Sequence, residues 1–284
     1  MKRNLLKRLL LVAGAVVLQA ATAFAVGSTS EISVNLKLDE LDYVYGERVR
    51  GVIEVVNTSP FKLSVGYPDS KDLLFVEVFT SSDMVQLGQT NRRAFTAKFK
   101  LDVNEAQKLE VYLGDHYGLR QFKRFLARPV LVHAGKRYEG QYRAFDIVPG
   151  MAVSDATQVF GNRDGLSRVF ELVRWARKGT QHLFVISHDE GVSDKPYETR
   201  DVGPMMTITK PTISILPSGQ VIVVHRTGTD HFIRSEFWSM PDALEFHTRE
   251  LVNDPETAGQ NRVQELYQES GGVKPVERPW WKFW

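Results

Sequence analysis

Residues 31–38, EISVNLKL, set Ile32, Val34, Leu36 and Leu38 against polar neighbours. Alternation with period two is the signature of a strand with one face buried. A Tyr45-Gly46-Glu47 turn follows, and then VRGVIEVVN (49–57) repeats the pattern. Val49, Ile53 and Val55 share one face there, with Gly51 in the same row leaving room for a neighbour. Further strands are expected at 73–79 (LLFVEVF), 94–101 (AFTAKFKL), 128–134 (RPVLVHA) and 142–148 (YRAFDIV). Turn residues at Tyr67-Pro68-Asp69, Gly114-Asp115 and Ala134-Gly135-Lys136 separate them. Many short strands with few helical stretches point to a β-sandwich. One exception is RQFKRFLARP (120–129), where Phe122, Phe125 and Leu126 recur at helical spacing. Its bases, Arg120, Lys123, Arg124 and Arg128, fall elsewhere, so the expectation is a short crossover helix capping the sandwich. The rival reading is a stripe that meets a partner or an anionic surface.

Residues 151–167 hold no sustained period, and a linker is expected over 150–165. A second β block then spans 166–252. VFELVRW (169–175) and HLFVISH (182–188) flank Arg177-Lys178-Gly179-Thr180, a hairpin turn. PMMTITK (204–210) reads as another strand. TISILPSGQVIVVHRT (212–227) reads as strand, turn and strand around Pro217-Ser218-Gly219. HFIRSEFW (231–238) and LEFHTREL (244–251) complete the block. The Pro-Ser-Gly hairpin is similar to a propeller blade, but about 85 residues fall short of at least four blades of roughly 40 each. A second small β-sandwich or meander domain is expected instead, which makes the fold all-β.

Three stretches of the first block resemble one known family. YGERVRGVIEVVNTS looks like the second strand of immunoglobulin-like sandwiches in exported bacterial proteins. VYLGDHYGL (111–119) resembles the later corner of those domains, and FDIVPG (145–150) their final strand and exit. The resemblance covers about residues 30–150. It implies an N-terminal immunoglobulin-like sandwich over 30–149, with the Tyr117 hydroxyl tying down a neighbouring backbone group. It departs from the family after the corner, where RQFKRFLARP replaces the usual strand start.

The first 25 residues carry a basic start, Lys2, Arg3, Lys7 and Arg8, an apolar run from Leu9 to Leu18, and Ala23-Phe24-Ala25. This is the layout of a secretory signal peptide cleaved after Ala25, which places the protein in the periplasm or outside the cell. An uncleaved N-terminal anchor is the rival. Cleavage also changes the charge. The full chain carries 36 basic and 34 acidic residues, a net of +2. The signal holds four of the bases and no acids, so the remainder is slightly acidic, and nucleic-acid binding loses its electrostatic ground. The chain has no cysteine, which rules out disulfides, thiolate catalysis and Cys-ligated zinc.

Candidate chemistry is sparse. Of seven histidines, His188, His225 and His231 lie at strand ends or hairpins of the second block, with Asp189 and Asp230 beside two of them. Were those hairpins adjacent, His188, Asp189, His225 and His231 would form a site for metal binding or general acid–base hydrolysis. No HExxH, GxSxG elbow or P-loop occurs, and no cofactor or metal is expected. Trp175 and Trp238 suit either a sheet core or a sugar-stacking face.

The tail, 253–284, places Val263, Leu266 and Tyr267 at helical spacing within 256–270 and ends in ERPWWKFW. Trp280, Trp281, Phe283 and Trp284 are the binding residues expected from sequence, since each such side chain buries about 150–250 Å² when it docks. Their destination is a groove on the chain's own domains, a pocket on a protein or envelope component, or a membrane interface, the last not favoured. The sequence therefore predicts an exported, non-enzymatic binding or structural module. The alternatives are an exported hydrolase or metal-dependent enzyme with its site in the second domain, and a peripheral membrane protein attached through its C-terminus.

Overall fold

The computed structural model describes residues 31–89, 97–159, 167–190, 198–240 and 243–253. The expected signal peptide and nearly all of the tail, with Trp280, Trp281, Phe283 and Trp284, lie outside them.

The first block is a sandwich. Strands β1 (Ile32–Leu38), β3 (Arg50–Asn57) and β7 (Glu105–Tyr112) form one antiparallel sheet, with β3 central. The second sheet runs β2 (Asp42–Val44), β10 (Arg143–Val148), β8 (Arg124–His133), β5 (Leu73–Thr80), with β9 (Lys136–Glu139) also on β8. A small pair, β4 (Leu63–Val65) and β6 (Phe99–Leu101), closes one end. The alternation read from sequence holds in β1 and β3: Ile32, Val34, Leu36, Val49, Ile53 and Val55 are all buried. They meet Val76, Val78, Phe125, Phe145 and Ile147 from the facing sheet. Each side chain of this size contributes about 1.5–3 kcal/mol by leaving water. Gly51 sits in that row because a Cβ there would come within 3.0 Å of Leu38 Cδ2.

Asn57, where β3 ends, is fully buried. Its Nδ2 donates to the carbonyls of Phe61 (2.8 Å) and Asp102 (3.1 Å), and its Oδ1 accepts from the Ser59 amide and hydroxyl. The side chain thus stops the strand and fastens two loops. The helix expected over 120–129 is not there. Arg124–His133 is strand β8, with Phe125, Ala127 and Leu131 facing the core. Phe125 and Ala127 answer a period of two, and pairing to β5 and β10 outweighs the local helical spacing. Pro129 is tolerated between the stretch of β8 that pairs β10 and the stretch that pairs β9. One helical turn, α1 (Leu113–His116), follows β7.

The second block stacks two antiparallel meanders. One is β11 (Met151–Val159), β12 (Ser167–Arg177), β13 (Thr180–Asp189) and β14 (Glu198–Pro204). The other is β15 (Thr212–Ile215), β16 (Gln220–Arg226), β17 (Phe232–Ser239) and β18 (Leu244–Val252). Phe170, Leu172, Leu183 and Val185 of the first sheet pack on Val221, Val223, Phe237 and Leu244 of the second. The 177–180 hairpin is as expected, with Lys178 and Gly179 at φ 49° and 83°, the left-handed pair of a two-residue turn.

Two expectations fail here. Residues 151–159, expected within the linker, form β11, an edge strand whose small, polar side chains carry little apolar signal. The connection between the two blocks is therefore only Pro149-Gly150. Residues 204–210 were expected as a strand, yet beyond Pro204 they turn, and the strand is β14, whose polar start at Glu198 shows no alternation.

Candidate functional site: a cleft between the sandwiches

The two sandwiches pack directly on one another. Val44 and Val148 of the first touch Val173, Trp175, Phe184 and Ile186, which face outward from β12 and β13. Val44 and Phe184 are fully buried. Polar contacts border this patch. The Thr199 hydroxyl donates to the Tyr45 carbonyl at 2.5 Å, and the Thr199 amide donates to the Gly46 carbonyl at 3.2 Å. Arg177 joins Glu47 of the first sandwich and, at 3.1 Å, Asp201 of the second, with its guanidinium 4.6 Å from the Phe184 ring centre. Lys178 Nζ reaches Glu40 Oε1 at 2.8 Å.

Beside this contact lies a cleft of about 660 Å³. The first sandwich supplies the β2–β3 turn, with Tyr45, Gly46, Glu47 and Arg48, and the segment from Gly114 to Arg120. The second supplies Arg168, Ser187, His188, Asp189, Glu198, Thr199 and Arg200. The turn is held by the Glu47 carboxylate, which accepts the Val44 amide at 3.0 Å, and by the Tyr45 amide on Val148 O at 2.9 Å. Burial pushes the Glu47 carboxyl up, and the Arg177 guanidinium opposes that shift. On the other wall, Tyr117 is buried with its hydroxyl on the Val76 carbonyl, and Gln89 Nε2 donates to that hydroxyl at 3.4 Å. The backbone it ties down belongs to β5, far away in sequence. Burial also raises the Tyr117 pKa, so this phenol stays protonated.

The charged side chains of the second wall brace one another. Arg168 is 4% exposed and binds Asp189 through two nitrogens, at 2.5 and 3.3 Å. It also donates to the Ser239 hydroxyl (3.0 Å) and the Met240 carbonyl (2.5 Å). Glu198 pairs with Arg200 and accepts the Leu244 amide at 2.6 Å. Exposed charges on the rim are Arg48, Asp115 and Arg120. Such a cleft offers paired charges of both signs to a polar ligand.

The histidine group expected from sequence is divided. His188 and Asp189 end β13 on the cleft, opposite Val169 and Arg168. His225 lies inside the second sandwich on β16, 1% exposed, with Nε2 donating to the Pro204 carbonyl at 3.2 Å. Pro204 pairs with His182, six residues before His188 on β13 and so about 20 Å away at 3.3 Å per residue. His231 sits in the β16–β17 turn, where its carbonyl accepts the Thr227 amide at 3.0 Å. Among the described residues no three His, Asp or Glu side chains are placed to hold a metal ion. Trp175 lies in the contact between sandwiches, whereas Trp238 stands on an outer sheet face against His247. Sequence reasoning missed Glu47, Arg168 and Thr199. Only the Tyr45-Gly46-Glu47 turn gave a signal, as a turn.

No family model matches the chain. No curated protein matches it either. Among solved structures, the chain is similar to Spo0M, a sporulation control protein from Bacillus subtilis, with 10% sequence identity and a TM-score of 0.29 over 85% of this chain and 98% of that one.

Proposed function

We propose that this chain is an exported, non-enzymatic binding module of the periplasm or cell surface, and that the cleft between its sandwiches takes the ligand. The observation that carries this reading is the cleft itself, about 660 Å³, to which both sandwiches contribute. Its interior charges are committed to structural pairs, Glu47 with Arg177, Arg168 with Asp189 and Glu198 with Arg200. Groups held this way keep a binding surface in shape and leave little freedom for proton transfer. The favoured ligand is a polar segment of a protein or another envelope component, since the cleft presents both charge signs and few large apolar side chains. Export rests on the N-terminal signal pattern.

The alternative of an exported hydrolase keeps His188 and Asp189, which do line the cleft. One experiment separates the two. Wild-type protein, Arg48→Glu/Asp115→Arg and His188→Ala are each used to capture ligands from envelope extracts, and assayed with ester, amide and glycoside substrates. The binding reading expects stoichiometric capture by wild type and His188→Ala, and its loss in the charge-swapped protein. Turnover by wild type that disappears in His188→Ala would overturn it.

A further inference from the structure

Arg48 and Arg200 line the cleft from opposite walls. Arg48 is exposed, with its guanidinium 5.8 Å from the Tyr112 ring centre, and it has no ion pair among the described residues. Arg200 is paired with Glu198, but that pair uses one nitrogen of its guanidinium, Nη2. Both Glu198 oxygens are engaged: Oε1 takes Arg200, and Oε2 takes the Leu244 amide at 2.6 Å. A guanidinium carries five N–H groups in one plane. The buried Nε of Arg200 has no acceptor among the described residues, and the side chain as a whole is 34% exposed. Arg200 is thus matched in charge yet short of acceptors, which favours an incoming one. The joint between the sandwiches lies between the two arginines. Arg48 is two residues past Gly46, and Arg200 follows Thr199, whose amide donates to the Gly46 carbonyl at 3.2 Å. Asp115 and Arg120 stand exposed on the same wall as Arg48.

We propose that the ligand of the cleft is an acidic peptide whose carboxylates pair with Arg48 and Arg200. The proposal rests on the cleft as the binding site and names the chemistry that fills it. A carboxylate meets a guanidinium through two parallel N–H···O bonds, a match that a neutral amide or hydroxyl does not give. Phosphate concentrates more negative charge than this site favours, because Asp115 and the Glu198 carboxylate stand beside the arginines. Those acids suit a peptide, whose backbone N–H groups bond to Asp115. Gripped from both walls, the ligand also fastens one sandwich to the other.

The test uses the full-length protein and three fluorescent octapeptides, in which serine alternates with glutamate, with glutamine or with phosphoserine. Fluorescence anisotropy reads their affinities. The glutamate peptide binds at least about tenfold more tightly than the glutamine peptide, the factor expected for a charge-assisted bond. Arg48→Gln and Arg200→Gln each weaken the glutamate peptide by about tenfold and leave the glutamine peptide nearly unchanged. Lys108→Gln, which removes an exposed charge from β7, changes neither. Arg200→Gln strips Glu198 of its partner, so if that protein does not fold, Arg48→Gln decides alone. Equal affinity for the glutamate and glutamine peptides, lost in Arg48→Gln, overturns the carboxylate and leaves the cleft standing as a binding site. Glutamate binding that survives both substitutions overturns the proposal, since the acid then sits elsewhere. Tighter binding of the phosphoserine peptide, dependent on Arg48, overturns it in favour of phosphate. If no peptide binds while envelope extracts still yield a ligand captured through the cleft, the acidic class alone falls; if neither binds, the cleft falls with it.

Discussion

Arg177 and Glu47 belong to different sandwiches, and their ion pair spans the junction between them. Both are mostly shielded, and Arg177 also carries Asp201. Removing the guanidinium leaves the mostly buried Glu47 carboxylate without its partner, beside the half-buried Asp201. Arg177→Leu is expected to destabilise the protein by about 3 kcal/mol, the lower end for one partner of a buried pair. Adding Glu47→Leu should recover part of the loss, because the stranded charge goes with it. Urea unfolding of the two variants checks both statements.

His225 makes stability depend on pH. Burial lowers its pKa from the usual value to about 4, against a weaker opposing contribution from its bond to Pro204. Between that value and about 6.5 the unfolded chain binds the proton more readily than the folded one. Stability due to this group is therefore full above the ordinary value and falls as the pH drops toward 4, by up to about 3 kcal/mol. His225→Gln should flatten that part of the curve of unfolding free energy against pH. An unchanged slope would mean that other groups carry it.

Asn57 holds a strand end and two loops together with one buried amide. Asn57→Ala leaves the Phe61 and Asp102 carbonyls and the Ser59 amide to find other partners. The expected loss is about 2–3 kcal/mol, since each buried group left unmatched costs about 1 kcal/mol or more. Thermal unfolding compared with Thr58→Ala, which alters an exposed neighbour, separates this role from a general loop effect.

Thr199 fastens β14 to the turn that forms one lip of the cleft. Thr199→Val keeps the shape and removes the hydroxyl bond to Tyr45. Stability should fall by only about 1 kcal/mol, while hydrogen exchange at Glu47 and nearby amides of the turn quickens.

The strands with one wet face were legible in the sequence. The alternating residues of β1 and β3 and the Pro-Ser-Gly turn ahead of β16 all carry their pattern locally. What failed to show was set by distant pairing. β11 is an edge strand of small and polar residues, so its period is silent. The stretch leading into β8 places Phe122, Phe125 and Leu126 at a spacing that fits a helix until β5 and β10 line up beside the strand. The cleft was hidden for a similar reason. Glu47 meets Arg177, and Tyr45 meets Thr199, across more than a hundred residues. No local motif marks such pairs. The histidines stood out by residue type, yet the fold sends His225 into a core and His188 to a cleft edge.

The most direct test of the account is a hydrogen-exchange footprint of the full-length protein with its captured ligand. The cleft reading predicts slowed exchange in the Tyr45–Arg48 turn, in Gly114–Arg120 and at the end of β13 together, with the ligand recovered chemically unchanged. Protection confined to another surface, or a ligand recovered cleaved, would contradict it.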